Sequence, residues 1–254
     1  MNIYKLIKKY YEKGDVCVIG EKGSGKDMLT ANIIAERKLP YVSNTEYKRK
    51  GKIPLTFYQL DFSKINVGEN TYKDFISGDI KYYEYPYPIG CDIYISDVGV
   101  YLPSQYCNEL NRDYKHLATL TALSRQLGFR IHTNCQNLNR IYDKLREQSR
   151  TYITCLGCKV IPIGKTQLII QKIRISEKYQ SAIDNVPRLK LPLYMRIGKD
   201  KTLARLYALN YQIQHGIIEE YTLIYINKSD YDTTVFRSML KRGKKNEEEK
   251  DKKE

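Results

Sequence analysis

Four apolar residues, Val16-Cys17-Val18-Ile19, run directly into Gly20-Glu21-Lys22-Gly23-Ser24-Gly25-Lys26-Asp27, and helical spacing follows with Met28, Leu29, Ile33 and Ile34. A buried strand, a glycine-rich turn and a helix in that order form a P-loop. Its successive backbone N–H groups wrap phosphates, and its lysine reaches the β- and γ-phosphates of a nucleoside triphosphate. Gly20, Gly25 and Lys26 hold the required places, and Gly20 to Met28 is the expected nucleotide-binding stretch. A glycine-rich turn that merely caps a helix is the competing reading. The pattern departs at its last letter, where Asp27 stands in place of the Ser or Thr hydroxyl that normally ligates Mg²⁺. An aspartate can hold the metal directly, yet it also brings negative charge towards the triphosphate, so hydrolysis is more in question than binding.

A second element points to the same chemistry. Ile93-Tyr94-Ile95-Ser96-Asp97 is an apolar strand that ends in an acid, as a Walker B strand does when its aspartate holds Mg²⁺. Asp27 and Asp97 are therefore the candidate metal ligands. Asp92 is the rival acid, but it precedes the apolar run. Val98 occupies the position at which many such ATPases carry a water-polarising glutamate.

The rest of the chain reads as alternating helices and strands. Ile3, Leu6, Ile7, Tyr10 and Tyr11 make a first helix that stops at Gly14. Tyr41 to Asn44 and Thr56 to Leu60 read as strands, while Lys81 to Pro88, with two prolines, cannot be a central strand. That Tyr-rich loop either packs its rings on the surface or offers them for stacking on bases. Residues 113–127 carry a leucine stripe ended by Gly128, Arg130 to Gln136 is a short strand, and Leu138 to Arg150 is rich in basic side chains. Strand-like runs follow over Tyr152 to Ile161 and Gln167 to Ile175, then a proline-interrupted section to residue 193. This order predicts an α/β P-loop NTPase domain with a mainly parallel central β-sheet flanked by helices.

Composition bounds the partners. The 254 residues, 42% of them hydrophobic, suffice for one domain over residues 1–240, with 241–254 a charged, solvated tail. The tail holds seven basic and five acidic residues, a net +2, so +12 of the total +14 lies on the folded part. Such a surface favours an anionic partner: nucleic acid, acidic lipid or an acidic protein. No apolar run approaches the roughly 18 residues of a membrane span, and the start lacks a signal-peptide core. The expected location is the cytoplasm, with any membrane contact peripheral. Six cysteines show no disulfide framework, and the close pair Cys155 and Cys158 lacks a second ligand pair for zinc, so two sheet-edge thiols are expected.

The P-loop, the Ile93 to Asp97 strand, the segment Leu123-Ser-Arg-Gln-Leu-Gly-Phe-Arg-Ile-His-Thr-Asn-Cys-Gln136 and the following Asn139 to Arg146 together resemble the zonula occludens toxin-like (Zot-like) family. These are filamentous-phage assembly ATPases within the FtsK/HerA group of DNA-pumping P-loop proteins. The resemblance spans roughly residues 14–155, and Tyr231-Asp232-Thr233 is similar to a motif near the end of related domains. It implies a RecA/FtsK-like fold, ATP and Mg²⁺ as cofactors, DNA as a partner, a homo-oligomer such as a hexameric ring, and a role in DNA packaging, extrusion or virion assembly. By position, Lys26 would contact the phosphates, Asp97 the magnesium, and Gln136 would be the polar sensor beside the γ-phosphate. Ring-forming members also use an arginine from the neighbouring subunit, for which Arg125, Arg146 and Arg150 are equivalent candidates. Many phage members carry a transmembrane helix after the ATPase domain. None is found here, which implies a coat or membrane-anchoring partner protein. Two alternatives remain open: a nucleotide-gated scaffold that binds DNA or coat protein with little hydrolysis, which Asp27 and Val98 favour, and a small-molecule phosphotransferase.

Overall fold

The computed structural model describes residues 1–47, 50, 55–61, 87–88, 90–98, 124, 128–141, 143–191 and 201–230. Its first helical turn, α1 (Ile3–Leu6), is capped by Asn2, whose Oδ1 accepts from the Lys5 N–H at 2.9 Å, and it widens over Ile7–Tyr11 into a π turn. The five apolar residues expected on the inner face of this helix are all buried.

Eight strands then build one sheet. They are β1 (Val16–Ile19), β2 (Tyr41–Ser43), β3 (Phe57–Gln59), β4 (Asp92–Ile95), β5 (Ile131–Cys135), β6 (Thr151–Ile163), β7 (Thr166–Ser176) and β8 (Ile218–Ile226). The spatial order is β3-β2-β4-β5-β1-β6-β7-β8. The first six are parallel, and β7 and β8 continue the sheet as an antiparallel meander. The P-loop strand β1 thus lies between β5 and β6, with core on both faces. Val16 and Val18 join α1 and α2 (Lys26–Arg37) in one cluster, while Cys17 and Ile19 join the other with Leu138, Ile141 and Leu145. This alternation explains why the strand reads as an unbroken apolar run. Leu145 lies on α3 (Asp143–Gln148), and α4 (Tyr179–Ile183) packs on the same side through Ala182. Among the described residues, no helix is long and apolar enough to cross a membrane.

Several expectations shift. The strand expected to reach Asp97 ends at Ile95 because Asn44 draws the chain aside, its Oδ1 accepting from Ser96 N–H at 2.8 Å and its Nδ2 donating to the Ser96 carbonyl at 2.9 Å. Cys155 is not at a sheet edge but buried in the interior strand β6, and a bulge between Cys155 and Gly157 separates it from half-buried Cys158. Helix α5 (Lys201–His215) and strand β8 had no sequence assignment. The helix expected over 113–127, most of the Tyr-rich loop, Tyr231-Asp232-Thr233 and the tail lie outside the described residues.

Candidate nucleotide site

At the C-terminal end of β1 the loop is bound to the sheet by its first residue, with Gly20 N–H donating to the Cys135 carbonyl at 3.2 Å. Gly23 and Gly25 adopt φ of +85° and +86°, a left-handed region that side chains disfavour. Gly25 is doubly required, since a Cβ there would lie 2.6 Å from Cys158 Cβ. Gly23 faces open space, and Ser24 Oγ is buried with no hydrogen-bond partner.

The underside of the loop is gripped by the antiparallel extension. Gln171 of β7, fully buried, donates from Nε2 to the Gly25 carbonyl at 3.1 Å and the Ser24 carbonyl at 3.3 Å, while its Oε1 accepts from Tyr225 Oη at 2.8 Å. These bonds fix the carbonyls of Ser24 and Gly25 against the sheet, and Ser24 N–H donates to the Glu21 carbonyl at 3.1 Å within the loop. Burial pushes the Cys155 thiol up to about 12 and raises that of Cys158 as well, so both pack as protonated side chains.

Charge gathers at the head of α2. Lys26 is 5% exposed, and its Nζ lies 3.2 Å from Asp27 Oδ2 and 3.7 Å from Asp97 Oδ1. Asn134, at the end of β5, ties both acids together: its Nδ2 donates to Asp27 Oδ1 at 2.9 Å and its Oδ1 accepts the Asp97 N–H at 2.6 Å. Asp97 is held at φ +46°, a conformation that costs energy outside glycine and clusters at functional sites. Burial raises the Asp27 pKa; Lys26 pulls against this and Asp97 adds to it, leaving the carboxyl above its ordinary value. Two carboxylates facing one lysine beside a glycine cradle with an unpartnered hydroxyl fit a phosphate chain and one divalent cation. Magnesium commonly takes one or two carboxylates plus phosphate oxygens.

Beside the loop, residues 20–24, Gln136, Asn137, Asn139, Leu156, Ile183 and Asn185 border a cavity of about 650 Å³. Gln136, one residue past β5, is exposed on its wall, whereas Asn134, within β5, is the amide that reaches Asp27 and Asp97. Asn134 stood in the segment singled out from sequence but was not named there; its period-2 relation to Gln136 was the available signal. Gln171 was invisible, being 146 residues from its loop partner. Arg146 lies over the Tyr179 ring at 5.4 Å, and Arg150 donates to the Lys13 carbonyl at 3.1 Å, near the opposite end of β1. Arg125 lies outside the described residues. Val98 is fully buried, so the glutamate position is apolar. Asp92 sits at the N-terminal end of β4, remote from the loop, in an ion cluster of its own with Arg37, Arg130 and His132.

A mainly parallel sheet with a glycine-rich loop running from the end of an interior strand into a helix has the architecture of a P-loop α/β fold. In structure the chain is similar to the N-terminal domain of zonular occludens toxin from Neisseria meningitidis, at 12% identity and a TM-score of 0.39 over 88% of this chain and 97% of that one. It is also similar to the genome packaging NTPase B204 of Sulfolobus turreted icosahedral virus 2 in complex with ATP-gammaS (12%, 0.36, 56% of this chain and 74% of that one). A third likeness is to the pCW3 conjugation coupling protein TcpA (13%, 0.35, 61% of this chain and 56% of that one). No family model and no curated protein matches the sequence.

Proposed function

We propose that this chain binds ATP with Mg²⁺ at the P-loop and is a Zot-like member of the FtsK/HerA ATPases, acting in DNA packaging, extrusion or virion assembly. The observation that carries the nucleotide reading is the buried Lys26 at the head of α2, held between Asp27 and Asp97 beneath a glycine cradle. In this reading Lys26 and the loop N–H groups hold the phosphates, and Asn134 aligns both acids towards the metal. The cavity along Gln136, Leu156 and Ile183 takes the nucleoside. Bound Mg²⁺ supplies charge neutralisation on the phosphates, and the protein's part is positioning and electrostatic stabilisation. Gln136, exposed on the cavity wall, is the polar sensor beside the γ-phosphate in this reading, and an arginine from a neighbouring subunit of a ring completes the site. The partners are DNA and a coat or membrane-anchoring protein, at the inner face of a host cell membrane.

A second reading, a nucleotide-gated scaffold with little hydrolysis, is favoured by two observations. Both Asp27 oxygens are engaged, by Lys26 and Asn134, and Val98 is buried where a catalytic glutamate would stand. An ATPase assay on wild type and Lys26→Ala, with and without single- and double-stranded DNA, separates the two. DNA-stimulated turnover that vanishes in Lys26→Ala supports the motor, nucleotide binding without turnover supports the scaffold, and equal turnover in both proteins removes the P-loop from the mechanism.

A further inference from the structure

Lys5, Lys8, Lys9 and Lys13, with Met1 and Tyr221, line a shallow groove of about 630 Å³ where α1 and its π turn meet β8. The arrangement follows from the first helix. Ile3, Leu6, Ile7, Tyr10 and Tyr11 turn into the core, which leaves Tyr4 and all four lysines on the outer side. Met1 N, donating to the Thr222 carbonyl at 3.0 Å, fastens the start of this segment to β8.

Among the described residues, Lys9 is the one of these lysines held in an ion pair. Lys9 Nζ lies 2.7 Å from Glu219 Oε2 and donates to Tyr221 Oη at 3.2 Å, and Tyr10 Oη also donates to the Glu219 carboxylate. Lys8 stands 4.9 Å over the Tyr4 ring, and Lys5 and Lys13 make no ion pair among the described residues. Glu12 is the one other exposed acid of this segment. The result is a concave row in which Lys5 and Lys13 carry no ion pair among the described residues and Lys8 rests on Tyr4, itself 53% exposed.

We propose that this groove is a nucleic-acid contact: Lys5, Lys8 and Lys13 neutralise successive backbone phosphates, and Tyr4 stacks on a base. Lysines beside an aromatic platform are what sequence-tolerant strand binding uses. A membrane surface fits less well, because a helix that binds a bilayer presents its apolar face outward, and here that face is consumed by the core. The groove shares no residue with the nucleotide cavity. The proposal gives a surface to the DNA contact of the proposed function, and its test runs without nucleotide, so either can fail alone.

The experiment is fluorescence anisotropy of labelled single- and double-stranded oligonucleotides across a salt series, on the full chain. Four proteins are compared: wild type, Lys5→Ala/Lys8→Ala/Lys13→Ala, Tyr4→Ala, and Lys159→Ala/Lys165→Ala/Lys172→Ala, which removes as much charge from the β6–β7 hairpin as the first triple removes from the groove. Removing three phosphate contacts should lower the slope of log K against log salt by about 2 for single strands, at about 0.7 per phosphate, and weaken low-salt binding at least tenfold. Tyr4→Ala should cost single-strand affinity about fivefold or more with little effect on duplex. The hairpin triple should keep most of the wild-type slope, and all variants should bind an ATP analogue as wild type does. Equal losses in the two triples, or no DNA binding at low salt, overturns the proposal. So does unchanged DNA binding in the groove triple while its binding to phosphatidylserine vesicles is lost.

Discussion

The same three elements build a charged cluster at each end of the sheet, and the two clusters are opposite in character. At one end α2 gives Lys26 and Asp27, the turn after β4 gives Asp97 and β5 gives Asn134. At the other end α2 gives Arg37, β4 gives Asp92 and β5 gives His132, with Arg130 alongside. Asp92 is buried against two guanidinium groups. Burial alone would raise its pKa, but His132, Arg37 and Arg130 together hold it below the usual carboxylate range. Asp27 and Asp97 share a single lysine, the first with a raised pKa and the second with 43% of its side chain exposed. A cluster that satisfies its acid within the chain holds the fold together. The cluster at the other end, with one acid in excess, a part-exposed carboxylate and a strained backbone, carries a charge that the proposed metal would balance.

The sharpest contrast is in stability. Asp92→Ala should destabilise the protein by about 3–5 kcal/mol in urea unfolding, because it leaves the buried Arg37 guanidinium uncompensated. Asp97→Asn, at an exposed side chain, should leave the unfolding midpoint close to wild type. Equal loss in both variants would erase the distinction between the two ends. Acid titration follows the same logic. Because the folded-state pKa of Asp92 is depressed, its contribution is complete above the unfolded value of about 4 and is lost as pH falls through the lower folded value.

Next in size is Lys26→Ala, which should weaken binding of an ATP analogue by about 1.5–3 kcal/mol, the worth of a charge-assisted contact, without changing the fold. Fluorescence titration beside a circular dichroism spectrum checks both parts. Gln171→Leu is expected to be smaller, at about 1–2 kcal/mol of stability, since it strips a donor from two loop carbonyls and an acceptor from Tyr225. It should also reduce nucleotide affinity several-fold at temperatures where the variant is fully folded. Unaltered affinity there would show that the antiparallel extension only supports the sheet. The smallest effect belongs to Asp27. With its pKa raised by burial, acidification should protonate it above the usual aspartate range, improving metal-free nucleotide binding and weakening Mg²⁺-dependent binding. Asp27→Thr should flatten both trends, as a pH series of titrations would show.

The legible part of this protein was local. β1, the P-loop, α2 and the hairpin strands β6 and β7 declare themselves through neighbouring residues, and so did Lys26, Asp27 and Asp97 as a group. Where structure depends on distant partners, the sequence is silent. Asp92 and Asp97 flank one apolar run and look alike until Arg37 and Arg130 arrive from other elements. Asn134 hides among the polar residues of β5, and Gln171 among the apolar ones of β7. β8 lacked a readable period because Leu223 and Tyr225 face the core while Ile224 and Ile226 lie exposed on the other face. Helix α5 is mostly exposed, with Leu206 and Ile213 outward, so its pattern names no inner face.

In the proposed function the Lys26–Asp27–Asp97 end of the sheet is a metal-dependent nucleotide site. Calorimetric titration of a non-hydrolysable ATP analogue into the wild-type protein, once with Mg²⁺ and once with a chelator, tests it most directly. The excess acid at that end predicts binding at least tenfold tighter with Mg²⁺, whereas affinity that is equal or greater in the chelator would contradict it.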